Sequence, residues 1–140
     1  KKGLKKMSNE QLNVPETLSY TDEHVWVRRV EDDTNLFIVG ITDYAQDQLG
    51  EIIFVDTPDE MSKFEAGESF GDVESIKTVN ELYMPISGTV MTTNEALLDN
   101  PTLINESPYD EGWMLKITAD SVDDIENLLS AAKYNEITKS

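Results

Sequence analysis

The chain has 140 residues, no cysteine, and eleven Lys and Arg against twenty-eight Asp and Glu, for a formal charge of −17. A field of that sign repels phosphate backbones and anionic headgroups, which argues against nucleic acid and membrane surfaces as partners. Without cysteine there is no disulfide framework, thiolate nucleophile or thiolate metal site. The length suits one domain around a single core. No run approaches the roughly 18 apolar residues of a membrane span and no apolar signal core opens the chain, so a soluble, intracellular protein is expected. Residues 1–13, which begin "KKGLKK", are set aside as an N-terminal extension or a remnant of cloning, and 14–140 are taken as a single domain.

In chain order, "HVWVRRV" (24–30) and "LFIVGI" (36–41) are rich in β-branched and aromatic residues and predict two strands of a meander. The "EDDTN" between them predicts a solvated hairpin loop, since it lacks the glycine and terminal glutamate of a calcium loop. "TDYAQDQLG" (42–50) predicts a short helix capped by Thr42 and stopped by Gly50. "EIIFVDTP" (51–58) predicts a strand ended by Pro58, followed by a turn-rich stretch to Gly67. "ESFGDVESI" and "ELYMPISGTVMT" then have strand character on either side of "KTVN", which places a tight reversal there. "NEALLDNP" (94–101) predicts one helical turn halted by Pro101, and "GWMLKI" (112–117) another strand. "SVDDIENLLSAAKY" (121–134) predicts a continuous helix, with Ser121 as N-cap and Val122, Ile125, Leu128, Leu129 and Ala132 on one face.

Most chemistry is missing from this inventory. The one histidine, His24, lies in a strand-like run, where it is more often packed than catalytic, and no triad or phosphate-binding glycine loop can be assembled around it. Carboxylates are abundant, but no pair is marked out as acid and base. One cation stands out. Between Arg29 and Lys116 the only cations are Lys63 and Lys77, and Lys77 falls at the predicted reversal with Glu74 before it and Glu81 after.

Around that lysine, "VESIKTVNELYMPISG" resembles the lipoyl-lysine hairpin of glycine cleavage system H proteins, matching at Glu74, Ser75, Lys77, Pro85, Ser87 and Gly88. "VGITDYAQDQLGEIIFVDTP" is similar to the region that precedes the lysine in that family, and "LSYTDEHVWV" to its first strand. "NPTLINESPYDEGWMLKI" resembles its N-x-x-P-Y-x-x-G-W element at Asn105, Pro108, Tyr109, Gly112 and Trp113. The resemblance runs from about Val14 to Tyr134. It implies a mainly β fold with short helices (α+β), a barrel-sandwich hybrid of the lipoyl and biotinyl carrier type with a C-terminal helix.

The resemblance further implies a swinging-arm carrier that is not itself an enzyme, with lipoic acid joined to Lys77. The arm would take an aminomethyl group from glycine decarboxylase (P protein) to the aminomethyltransferase (T protein), and electrons to dihydrolipoyl dehydrogenase (L protein). A lipoate ligase or a lipoyl or octanoyl transferase would attach it, in a bacterial cytoplasm or, for a eukaryotic chain, the mitochondrial matrix. Arm docking or recognition would involve Glu74, Glu81, Glu23 and Gly88. One departure matters: the family's His-Glu-Trp is His24-Val25-Trp26 here, and valine accepts no hydrogen bond, leaving Glu81 and Glu23 as carboxylates for the arm. Alternatives are an H-like protein that relays lipoate to other lipoylated enzymes, and an unmodified acidic interaction module. A biotin carrier fits worse, because Ile76 and Thr78 flank the lysine where methionines are usual.

Overall fold

Alternation along two neighbouring strands organises the molecule, which we describe from a computed structural model over residues 12–31 and 34–139. Most of the N-terminal extension, Asp32 and Asp33 of the first loop, and Ser140 lie outside the described residues. After β1 (Ser19–Tyr20), β2 (Val25–Arg29) pairs antiparallel with β3 (Leu36–Ile41), Val25 opposite Ile41 and Val27 opposite Val39. Val25, Val27, Phe37, Val39 and Ile41 point into the main core, while Trp26 and Ile38 point to the other side and pack with Leu18, Tyr20 and Tyr134. A period of two thus feeds two apolar clusters from one hairpin. Each fully buried side chain contributes roughly 1.5–3 kcal/mol.

The short helix α1 (Asp43–Leu49) forms as expected, with the Thr42 side chain accepting from the Ala45 amide and Gly50 as C-cap. β4 (Ile52–Asp56), β6 (Ser69–Ser75) and β7 (Val79–Tyr83) make a three-stranded sheet in the order β4-β6-β7. The two-residue β5 (Lys63–Phe64), β8 (Gly88–Thr93) and β9 (Leu115–Ala119) complete a six-stranded sheet, β1-β2-β3-β9-β8-β5. Val55, Val73 and Leu82 of the smaller sheet meet β2, β3 and β9 in the main core. The architecture is the expected mainly β sandwich with short helices, its two sheets open at their edges.

The strand character of "ELYMPISGTVMT" is divided between two sheets: β7 ends at Tyr83, and after the buried Met84, Pro85 and Ile86 the chain re-enters as β8 in the other sheet. One expectation is corrected, since 121–134 is not one helix. Val122–Asn127 is a 3-10 helix, and the α-helix runs Ala131–Thr138. The break has a cause outside the segment: Leu129 and Tyr20 exchange two backbone hydrogen bonds, at 2.8 and 2.7 Å, which hold Leu129 in a bridge. Ser130 then restarts the helix by accepting from the Lys133 amide. Two one-turn helices, α2 (Ala96–Asp99) and α3 (Leu103–Glu106), precede β9, the second unforeseen; the C-terminal helix is α4.

Tyrosines join the second cluster to its surroundings. Tyr20 stacks on Tyr134, centroids 4.8 Å apart at 14°. The Tyr20 hydroxyl donates to the Pro15 carbonyl, and that of Tyr109 to the Asn13 carbonyl. Burial pushes the phenols of Tyr20, Tyr109 and Tyr134 well above their ordinary value. A raised folded-state pKa means that their contribution is intact below about pH 10 and is lost as the pH rises further, because the unfolded tyrosines ionise first. Alkaline unfolding should therefore coincide with the tyrosinate absorbance of these three residues. Ordinary titration of all three in a protein that keeps its near-ultraviolet dichroism would contradict this packing.

Candidate functional site

The β6–β7 hairpin turns through Ile76 and Lys77. The Ser75 amide donates to the Thr78 carbonyl at 2.8 Å, and the buried Ser75 hydroxyl accepts from the amides of Lys77 (3.1 Å) and Thr78 (3.2 Å). One side chain thus satisfies two donors that a bare turn leaves open. The Ile76 amide donates to the Glu51 carbonyl at 3.1 Å, which ties the tip to the corner between α1 and β4. Lys77 is exposed at this braced tip.

The lysine side chain lies against that corner. Gly50 has φ +82°, and a Cβ there would lie 3.1 Å from Lys77 Cε, so the stem folds over the glycine. Asn105 of α3 fixes the corner from below. Its Oδ1 accepts from the Ile52 amide at 2.9 Å, and its Nδ2 donates to the Gly50 carbonyl and to Gln46 Oε1, each at 2.9 Å.

Beside the tip lies a cleft of about 320 Å³, bounded by the free edge of β7, by α1, and by the turn from β1 to β2. Its floor is apolar, made of the buried Ile41, Leu49, Val73 and Leu82. Its rim is polar: Glu81, Asn80 and Thr78 from the hairpin side, and Glu23, His24 and Tyr44 from the other. Glu23 also borders a second hollow, of about 350 Å³, near Leu128 and Leu129. His24 adopts φ +70°, a left-handed conformation that costs a non-glycine residue on the order of 1–2 kcal/mol. It is held there by its amide to the Thr21 carbonyl and by its own carbonyl, which accepts from the Thr42 amide. Burial lowers the His24 pKa, against the opposing pull of Glu23 and Asp22.

The family model of the glycine cleavage H-protein matches residues 18–140. The chain belongs to the glycine cleavage H-protein family. It is 50% identical over 123 residues to the glycine cleavage system H protein of Geobacillus kaustophilus, covering 88% of this chain and 94% of that one. It is 46% identical over 129 residues to that of Bacteroides fragilis, covering 92% of this chain and all of the other. In structure it is similar to a glycine cleavage system H protein from Mycobacterium marinum, with a TM-score of 0.79 and 36% identity, covering 87% of this chain and 96% of that one.

The family's N-x-x-P-Y-x-x-G-W element is scaffold. Beyond Asn105, the Pro108 carbonyl accepts from Trp26 Nε1 at 3.0 Å, and the Tyr109 hydroxyl accepts from the Asp43 amide at 3.0 Å. Glu23 and Glu81 come together on one cleft, whereas Glu74 stands opposite Phe54 and Val79 in the sheet and is not among the lining residues. Gly88 lies in the other sheet, where a Cβ would strike the Thr118 carbonyl oxygen. Its place is explained by close strand packing. Val25 is 1% exposed in the main core and does not line the cleft. A glutamate there would bury an unpaired carboxylate, so Val25→Glu tests stability rather than arm docking in this chain. Tyr44 and Asn80 are not marked as site residues by the sequence, and Gly50 and Asn105 are marked only as a helix stop and a motif match, since nothing local marks a helix or strand residue as part of a distant cleft or corner.

Removing the Ser75 hydroxyl should loosen the tip without unfolding the protein. Ser75→Ala is expected to lower hydrogen-exchange protection of the Lys77 and Thr78 amides and to cost about 1 kcal/mol in urea unfolding. Unchanged protection at both amides would show that the hairpin needs no side-chain brace.

Proposed function

We propose that Lys77 bears the lipoyl group of this carrier of the glycine cleavage system, and that the neighbouring cleft shelters the loaded arm between partners. The observation that supports this most directly is the juxtaposition itself: an exposed lysine on a braced two-residue turn, immediately before Thr78 on the cleft rim. When attached, the lipoyl group supplies a disulfide that accepts the aminomethyl cargo and a dithiol that returns electrons. The residues present fit such an arm. An apolar floor suits an aliphatic chain, and two rim carboxylates suit a terminal ammonium. Glu23 takes the place of the carboxylate that Val25 lacks, with Glu81 opposing it.

In this reading the chain binds, positions and shields, and the bond-breaking belongs to glycine decarboxylase, the aminomethyltransferase and dihydrolipoyl dehydrogenase, after a lipoate ligase or transferase has acylated Lys77. The relay alternative rested on the missing strand glutamate, and Glu23 on the rim removes that argument. The relatives are glycine cleavage system H proteins, which does not favour a relay either.

Co-expression with a lipoate ligase should add one lipoyl mass to the protein and none to Lys77→Arg, because a guanidinium does not form the amide. Modification that persists in Lys77→Arg, or maps to Lys63, would remove the assignment and leave the acidic-module reading.

Glu23→Gln and Glu81→Gln should each release ammonia from the loaded protein faster, by roughly tenfold or more, as a charge-assisted hydrogen bond is lost. The assay is run on purified, loaded protein without the transferase. Rates equal to that of the unsubstituted protein in both variants would place the arm elsewhere.

A further inference from the structure

The cleft wall contains a hydrogen-bond chain that the carrier function above does not use. His24 Nδ1 lies 2.7 Å from the Tyr134 hydroxyl, which in turn lies 2.7 Å from Thr42 Oγ1. Thr42 is fully buried, and its hydroxyl oxygen already accepts from the Ala45 amide as the N-cap of α1. Its proton has one acceptor in reach among the described residues, the Tyr134 oxygen. The direction of the chain follows. Thr42 donates to Tyr134, and Tyr134 must then donate to His24 Nδ1, which has to carry a lone pair. His24 is therefore the tautomer protonated on Nε2, and it is neutral.

Protonating Nδ1 would set two donors against each other. The Tyr134 oxygen would then have to accept from His24, and either its own proton or the buried Thr42 proton would be left without an acceptor. The groups near His24 are Asp22 and Glu23 on its own turn, Tyr44 on α1 at 4.9 Å between ring centroids, and Tyr134 on α4, while Glu81 lines the same cleft from β7. Glu23 and Asp22 favour a cationic imidazole, while burial, the larger effect, and the Tyr134 donor oppose it.

We propose that His24 is a positioning residue that Tyr134 and Thr42 hold neutral, so that the cleft rim presents Glu23 and Glu81 to a cationic arm end, and that protonation of His24 expels that cation. The proposal rests on the docking reading above. A neutral imidazole leaves the two rim carboxylates uncompensated, whereas an imidazolium on the same rim would offset their charge and repel the ammonium. The lowered His24 pKa fits: the neutral form, with the stability it brings, is complete above about pH 6.5 and is lost as the pH falls below it.

The first test uses unmodified protein and nitrogen-detected NMR of the His24 ring. At pH 7 the Nε2-protonated tautomer is expected, titrating below the ordinary histidine range, with the midpoint raised and the tautomers mixed in Tyr134→Phe. An Nδ1-protonated ring in the unsubstituted protein overturns the inference without any variant, as does a midpoint that Tyr134→Phe leaves in place. The second test follows the amide shifts of Asn80 and Glu81 in loaded, lipoylated protein as the pH falls. They should move from docked to free values through the His24 midpoint, and His24→Asn should abolish that step, since asparagine tolerates the left-handed backbone and keeps an acceptor for Tyr134. Shifts that stay docked through the midpoint overturn the expulsion. Shifts that show no docking at any pH overturn the docking reading and the expulsion with it. The tautomer measured without the arm tells the two failures apart.

Discussion

One side-chain amide holds the site in place. Asn105 satisfies a strand amide, a helix-terminal carbonyl and a helix side chain at once, and so fixes the corner where α1 ends and β4 begins. Gly50 in that corner bears the Lys77 stem, and Glu51 receives the Ile76 amide from the hairpin tip. The lysine's position is therefore set through three links, none of which involves its own charge. Under the proposed lipoylation of Lys77 this matters, because a tether gives its reactive end a high local concentration near any docked partner only if its anchor is reproducible.

Electrostatics does a different job on the same sheet. Asp56, Asp72 and Glu81 stand side by side across β4, β6 and β7, and like charges directly opposite one another destabilise a sheet. The next row on the same face toward the tip is Phe54, Glu74 and Val79, with both apolar members more than half exposed. An acidic row beside exposed apolar groups is unfavourable in water and favourable against a cationic surface. With a formal charge of −17, the field around the lysine extends over a Debye length of roughly 8–10 Å.

What was legible in the sequence was local. β2 and β3 announce themselves by β-branched and aromatic residues, α1 by Thr42 and Gly50, and the lysine's reversal by strand character on both sides. What was not legible depends on partners far along the chain. "ELYMPISGTVMT" carries no mark at Met84–Ser87 that one half joins one sheet and the other half the second. The cleft arises only where the β7 edge, α1 and the Thr21–Val25 turn converge, so Glu23 gained its place from the turn geometry and Val25 lost its place to the core. Gly88, matched to the hairpin by motif, belongs to strand packing in the other sheet.

The misread C-terminal helix ties these threads together. An unbroken helix from 121 to 134 satisfies every local rule, with a cap, an acidic first turn and an apolar face. It is interrupted because Leu129 is worth more as a backbone partner of Tyr20 than as a helical residue. The interruption lets Ser130 begin α4 afresh, with Tyr134 stacked on Tyr20 and its hydroxyl between Thr42 and His24. The left-handed His24 is thereby braced from behind by a residue 110 positions away. A strained conformation persists only where its surroundings over-determine it, and here that condition is met by a turn, a helix cap and a buried tyrosine together. The end of the chain thus forms the back of the cleft wall.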